Sequence, residues 1–376
     1  MRNNIKKIES QLLKRANLGN KRTLGIQDPS LIDFCSNDYL GFAKSEELKK
    51  RILKAYGNLS SKNGSTGSRL LTGNSSLAQQ VEIELATIFG FESCLVFNSG
   101  YSANLGFFSS VPQRGDTIFY DELSHACIKD GCRLSLAKPI PFKHNDLADL
   151  ERKLKSAEGE IYIACESVYS MNGDFAPLAS LCDLSNQYNA KLIVDEAHST
   201  GIFGQNGAGL VAHLGLTNHV FAIIFTFGKA MGIHGACVAS NQQVMEYLVN
   251  FSRPFIYTTA PSDFDFLSIR EAFAHLKANP SEQLAVHKRI EDFNHSLKIK
   301  REKRYLSQSA IQVILTPGNE STKKAAQQLF EKGYDIRPIL SPTVKVGEER
   351  LRICLHTFNS TEQVISLTQS LNSLLC

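Results

Sequence analysis

The segment KLIVDEAHSTG (191–201) passes from three consecutive apolar residues, Leu192, Ile193 and Val194, straight into Asp195, Glu196 and His198. Such a run reads as a strand buried on both faces, and charge at its end is costly to desolvate. A carboxylate there is either a strand end facing water or an anion held in a dry place. A second segment, TFGKAMGIHGA (226–236), sets Lys229 just past another apolar run, among Gly228, Gly232 and Gly235. Glycine allows tight turns and close backbone approach. Taken alone, a lysine after a strand is an ordinary solvated loop residue. Taken with Asp195 and His198, it can be an amine nucleophile that forms a Schiff base.

That combination suits pyridoxal 5'-phosphate (PLP). PLP needs a lysine for its imine and an anion to keep its ring nitrogen protonated; the protonated ring then draws electrons from an amino-acid α-carbon. Its phosphate needs N–H donors. CLVFNSGYSANLGFF (94–108) reads as a strand, a turn at Ser99-Gly100 and a helix start. The free N–H groups and positive end of such a helix would hold an anion. A Ser-Gly turn is common and gains weight only beside Lys229 and Asp195. No Walker sequence and no GxGxxG after a strand competes for a nucleotide, and no metal site is expected from the cysteine and histidine spacing.

The elements that would position these residues follow from periodicity. Candidate strands are CLVFN (94–98), TIFYD (117–121), IYIACE (161–166), KLIVDEA (191–197) and AIIFTF (222–227). Between two of them Phe175, Leu178, Leu181, Leu184 and Tyr188 recur at helical spacing. Apolar strands alternating with helices predict an α/β protein with a largely parallel sheet covered on both faces. Ligands of such sheets bind at the carboxyl ends of strands. That rule gathers NSGY, DELSH, ESVYSMNGD, DEAH and TFGK around one crevice.

The first twenty or so residues predict a charged helix with Ile5, Ile8, Leu12 and Leu13 as a narrow apolar stripe. Near 275–310 the sequence turns polar and charged. Strand-like IQVILTP, a helix over 322–332, strand-like RLRICLH and a last helix follow, the last opened by Ser360 and Gln363 at capping-box spacing. The expected organisation is an N-terminal segment (1–45), a large domain (46–275) and a smaller α/β C-terminal domain (276–376).

The chain has 376 residues, ample for a large core. Its net charge of +4 is too small and too scattered to argue for nucleic acid. Nine cysteines without CxxC pairs predict a reduced, cytoplasmic setting. The N-terminus lacks the apolar region of a signal peptide, and no apolar run is long enough to predict a membrane span.

Nine segments in order carry a resemblance: DFCSNDYLGFA (33–43), GSTGSRLLTGN (64–74), FNSGYSANLGFF (97–108), DELSHACIKDG (121–131), ESVYSMNGDFAPL (166–178), VDEAHSTGIFG (194–204), TFGKAMGIHGA, FIYTTAP (255–261) and LRICLH (351–356). Together they resemble the α-oxoamine synthases. These are PLP enzymes of the aspartate-aminotransferase fold (fold type I) that join an amino acid to an acyl thioester with loss of carbon dioxide.

The resemblance implies roles. Lys229 holds PLP through an imine and later moves the α-proton, Asp195 pairs with the ring nitrogen, His198 bonds the phenolic oxygen and His125 stacks on the ring. The backbone at Gly100 and Tyr101 and the Thr226 hydroxyl hold the phosphate, and Ser170 lies near the ring. Thr259 resembles a phosphate contact donated across a homodimer with shared active sites, as Ser65 and Thr66 do. Asn37 and Arg352 match the pair that holds the amino-acid carboxylate, a task suited to a bidentate guanidinium. Thr343, and Arg22 or Lys21, match positions associated with the acyl substrate.

On residue type alone, His125 is equally a helix cap, Arg352 a surface ion pair and Asn37 a turn residue. Within the family the likeness is to the branch joining L-alanine to a pimeloyl thioester, carried by coenzyme A or acyl-carrier protein. Glycine C-acetyltransferase, serine palmitoyltransferase and 5-aminolevulinate synthase types share its amino-acid end. A PLP-dependent transaminase is the alternative of another class. Neither nucleic acid nor membrane is an expected partner.

Overall fold

A computed structural model describes residues 5–59 and 62–375. Contacts divide the chain into two units. The larger is Asn37–Lys288 with His356–Phe358; the smaller joins the residues up to Ser36 to Arg289–Leu355 and the residues from Asn359. The predicted boundaries, 45/46 and 275/276, fall elsewhere for a physical reason. The start of the smaller unit is fixed by a non-local pairing, Ile32–Asp33 running parallel to Tyr334–Asp335. Its second division lies inside one continuous helix, Ser281–Ser296.

The larger unit is built on a seven-stranded sheet. Its strands are β1 (Ser93–Phe97), β2 (Thr117–Asp121), β3 (Lys138–Phe142), β4 (Ile161–Glu166), β5 (Lys191–Asp195), β6 (Ala222–Thr226) and β7 (Ala236–Ser240). The order is β1-β7-β6-β5-β4-β2-β3. The central pairs are parallel, and β7 alone runs antiparallel to its neighbours β1 and β6. The sequence reading finds β1, β2, β4, β5 and β6 and lacks two. β3 carries Pro139 and Pro141, which argue against a strand, and Pro is tolerated because β3 lies at the sheet edge. β7, ACVAS, is short and made of small residues, yet it is buried throughout.

Burial explains the apolar runs. Residues 192–195 of β5 are all buried, so its side chains meet protein on both faces. Leu95, Phe97, Phe107, Ile128, Ile193, Ile224 and Val238 share one core cluster. Phe89, on the helix Ser76–Phe89, stacks on Phe225 of β6 with centroids 3.6 Å apart. Of the described cysteines only Cys35 is not buried, consistent with thiols used as small core residues.

The smaller unit has an antiparallel sheet of β8 (Arg304–Tyr305), β9 (Ile311–Leu315), β10 (Arg337–Ile339) and β11 (Arg350–Cys354), in the order β10-β11-β9-β8. The helix Thr361–Leu375 opens with the expected capping box: Ser360 N–H donates to Gln363 Oε1 (2.9 Å) and Gln363 N–H to Ser360 Oγ (3.2 Å). The helix Lys6–Asn17 buries no residue, so its apolar stripe is exposed. Among the described residues no helix is long and apolar enough to cross a membrane.

Candidate active site

The ends of β5 and β6 bring the first group together. Lys229 Nζ lies 2.8 Å from His198 Nε2. The other nitrogen of that ring, Nδ1, lies 2.8 Å from the Tyr39 hydroxyl, which donates to Asn37 Oδ1 at 3.0 Å. Tyr39 has one hydrogen, and it points to Asn37. His198 therefore carries its proton on Nδ1 and gives it to the tyrosine oxygen, leaving Nε2 to accept from Lys229; the tautomer is assigned from this network.

Asp195 is buried and held at both oxygens. Oδ1 accepts the Ala197 N–H (2.8 Å), and Oδ2 accepts the Asn104 side-chain amide (2.7 Å). The same amide donates to the Gly100 carbonyl (3.0 Å), so Asn104 ties the first helical turn after β1 to the carboxylate. Asn104 escaped the sequence reading. Its signal is a polar residue four positions after Gly100, one helical turn on, among the small and apolar residues of ANLGFF.

Glu166 escaped it too. It ends β4 as the register partner of Asp195. Its carboxylate accepts the N–H groups of His125 (2.5 Å) and Ser170 (3.3 Å). Burial, and then the Asp195 charge, push its pKa up to about 8. Glu196 has a different task. It is fully buried, accepts the N–H groups of Leu210 (2.9 Å) and Val211 (2.7 Å) and the Ser167 hydroxyl (2.9 Å), and anchors the loop beyond β5. Burial raises its pKa to about 7.

His125 caps the helix Ala126–Leu134, its Nδ1 accepting the Cys127 N–H at 3.3 Å. The residue is otherwise exposed. Desolvation still holds its pKa below the ordinary value; Lys229 acts in the same direction and Asp195 opposes. The imidazole is thus neutral at pH 7 and presents a face.

The Thr226 hydroxyl is buried with no hydrogen-bond partner, and a Cβ on Gly100 would collide with it. Gly100 opens the helix Gly100–Ser110, whose first-turn N–H groups lack helical acceptors. An orphaned hydroxyl, a cradle without a Cβ and a helix start fit a phosphate. With Lys229 and buried Asp195 nearby, the residues fit PLP. The Tyr101 side chain points elsewhere, donating to Asp130 Oδ2 at 2.5 Å.

Thr259 is exposed, and its carbonyl accepts the Asn98 amide (3.0 Å). The segment around it is held to GSTGSR: Ser65 Oγ donates to the Pro261 carbonyl (2.9 Å) and Ala260 N–H to the Gly67 carbonyl (3.0 Å). Arg69, in that loop, makes a bidentate pair with Glu82 at 2.8 and 2.9 Å.

Arg352, Thr343 and Arg22 belong to the smaller unit. Arg352 is half-buried on β11, opposite Arg337 on β10, with Nη1 3.0 Å from Cys354 Sγ. Thr343 and Arg22 are exposed.

Residues 29–367 match the family model for aminotransferase class I and II. The chain belongs to the class I and II aminotransferase family. Among its curated relatives in this family, the 8-amino-7-oxononanoate synthase of Emericella nidulans is 39% identical over 378 residues, covering 93% of this chain and 91% of the relative. A solved serine palmitoyltransferase holding PLP overlays with a TM-score of 0.89 at 25% identity, covering 99% of this chain and 98% of the other. The 8-amino-7-oxononanoate synthase of Francisella tularensis overlays with a TM-score of 0.78 at 28% identity, covering 92% and 98%. The fold is that of the PLP-dependent aminotransferases, α/β with a mostly parallel sheet. Several substrate specificities share this aminotransferase fold, so specificity must be argued from the site.

Proposed function

We propose that the chain is a PLP-dependent acyltransferase, an 8-amino-7-oxononanoate synthase of biotin biosynthesis. It condenses L-alanine with a pimeloyl thioester, of coenzyme A or acyl-carrier protein, with loss of carbon dioxide. The observation that carries the reading is the placement of the Lys229 amine against His198, with buried Asp195 ending the neighbouring strand. The name shared by the Emericella and Francisella relatives supports the choice of substrates.

PLP, when bound, supplies an electron sink for the amino-acid α-carbon. The chain's own residues do the rest. Lys229 would tether the cofactor through its amine, and that amine, when free, would take the α-proton as general base. His198 Nε2 holds and orients that amine. Asp195, buried and with its oxygens fixed by Asn104 and Ala197, is the carboxylate that would pair with the ring nitrogen of bound PLP. His125 offers its ring face, and Ser170 lies beside it on Glu166. The Thr226 hydroxyl and the N–H groups at Gly100 and Tyr101 would hold the phosphate. Arg352 and Asn37 hold the alanine carboxylate; Thr343 and Arg22 meet the acyl chain. A new bond joins the alanine α-carbon to the thioester carbonyl carbon, the thiol departs with a proton, the alanine carboxylate leaves as carbon dioxide, and the α-carbon takes a proton in its place. The active form is a cytoplasmic homodimer in which Thr259 serves the partner's site.

A matrix of thiol-release assays tests this: alanine, glycine and serine against acetyl, succinyl, pimeloyl and palmitoyl thioesters. Alanine with pimeloyl should dominate. Dominance of glycine with acetyl, or of serine with palmitoyl, would move the chain to another α-oxoamine synthase type. Conversion of bound PLP to its amine form by an amino donor alone would make it a transaminase.

A further inference from the structure

Two loops at the strand ends carry site residues: residues 121–126 carry His125, and residues 166–177 carry Ser170. One tie between them is Glu166, which accepts a backbone N–H from each. A second tie is a histidine that no sequence motif singled out. His144 Nδ1 lies 3.0 Å from Asp121 Oδ1, and its Nε2 lies 2.6 Å from Asp174 Oδ2.

Each carboxylate belongs to one of the two loops. Asp121 ends β2 and is fully buried. Its Oδ1 also accepts the Leu123 N–H (2.8 Å), the turn that leads to His125. Asp174 lies across a hairpin from Tyr169: Tyr169 N–H donates to the Asp174 carbonyl (3.0 Å) and Gly173 N–H to the Tyr169 carbonyl (2.8 Å). Ser170 is the next residue. Asn145 spans the same gap, its N–H on Asp121 Oδ2 (2.9 Å) and its amide on Asp174 Oδ2 (3.2 Å) and the Phe175 carbonyl (3.1 Å). The Tyr169 ring meets the imidazole edge-on, centroids 4.5 Å apart. A ring nitrogen facing a carboxylate donates, and here each nitrogen faces one, which assigns the ring as an imidazolium.

We propose that His144 is a positioning residue: the Asp121–His144–Asp174 bridge locks the loop bearing His125 to the loop bearing Ser170 and so sets the placement of both groups for the cofactor. The consequence for the cofactor rests on the proposed function; the bridge does not. A neutral imidazole has one N–H and can donate to one carboxylate, and a side chain with donors at a single end reaches only one of the two.

The test uses His144→Gln, Asp174→Asn and the double variant of the full chain, with and without added PLP. Asp174 is the less buried partner, so Asp174→Asn keeps the test open should His144→Gln fail to fold. Amide hydrogen exchange is measured first. Each single variant should exchange about tenfold faster in both 121–126 and 167–176, and the double variant no faster than Asp174→Asn, which already removes the His144 tie together with the Asn145 contact on the same oxygen. Wild-type exchange in either loop, or additive gains, would overturn the bridge. The PLP-loaded variants should keep a borohydride-trappable adduct on Lys229, bind PLP about fivefold to tenfold more weakly and change the visible circular-dichroism band. His144→Lys, which restores charge at one end only, should not rescue the band. An unchanged band and affinity would overturn the positioning role. If the wild-type protein forms no adduct at all, the enzyme reading fails, and the exchange result still decides the bridge.

Discussion

The Lys229 amine donates to His198 Nε2 at 2.8 Å, and the direction of that bond is set on the far side of the ring by Tyr39. With the tyrosine proton assigned to Asn37 Oδ1, which can only accept, the network assigns the imidazole proton to Nδ1. A histidine with the other tautomer would turn a second donor toward the amine.

Tyr39→Phe removes the acceptor that fixes this tautomer. Tyr39 is fully buried, so the loss should cost about 1–3 kcal/mol of stability. PLP should load onto Lys229 about tenfold more slowly, followed by visible absorbance. Loading at the wild-type rate would show that the tautomer does not matter.

Gly100→Ala separates helix propensity from site geometry. Propensity alone favours alanine in a helix by about 1 kcal/mol. The new Cβ would instead strike the Thr226 hydroxyl. PLP affinity, read by equilibrium dialysis, should fall at least tenfold with little change in far-ultraviolet circular dichroism. Gly100→Ala together with Thr226→Ala should recover part of the folding stability but not the affinity.

Arg69→Ala tests the loop that carries Ser65 and Thr66. Arg69 and Glu82 are 7% and 11% exposed at their side chains, so cutting the pair strands a buried carboxylate. About 3–5 kcal/mol should be lost in urea titrations. Lys49→Ala, which cuts an exposed pair with Glu46, should change nothing measurable.

The His144 bridge has a pH signature. Desolvation lowers the His144 pKa, but hydrogen bonds and charge from Asp121 and Asp174 carry it from 6.5 up to about 9. A histidine whose folded pKa is raised stabilises fully below its unfolded value and loses that contribution as pH rises through the folded one. The melting-temperature gap between wild type and His144→Gln should therefore be widest near pH 6, narrow from about 6.5 and close by about 9. Lys129, which lies near Asp121 and Glu166 with its own pKa lowered by burial, titrates in both proteins and drops out of the difference. A gap that stays constant across this range would contradict the imidazolium.

The readings that match the structure rest on local signals. TIFYD and IYIACE are strands at the predicted bounds because an apolar run bounded by turn residues is visible within one segment. KLIVDEA runs two residues too far: Glu196 and Ala197 are already in the loop that Glu196 anchors. β3 and β7 were hidden, one by prolines acceptable only at a sheet edge, the other by small residues whose burial depends on neighbours far along the chain.

Local order in the sequence determined the alternation of strands and helices, and with it the delivery of Lys229, Asp195 and His198 to neighbouring strand ends, because hydrophobic period and glycine placement act over a few residues. The partners of those groups were decided only by tertiary structure. Tyr39 reaches His198 across 159 positions, Asn104 reaches Asp195 across 91, and His144 joins two carboxylates from separate loops. Such contacts carry no periodic trace, since a hydrogen bond depends on where two atoms arrive after the sheet has formed.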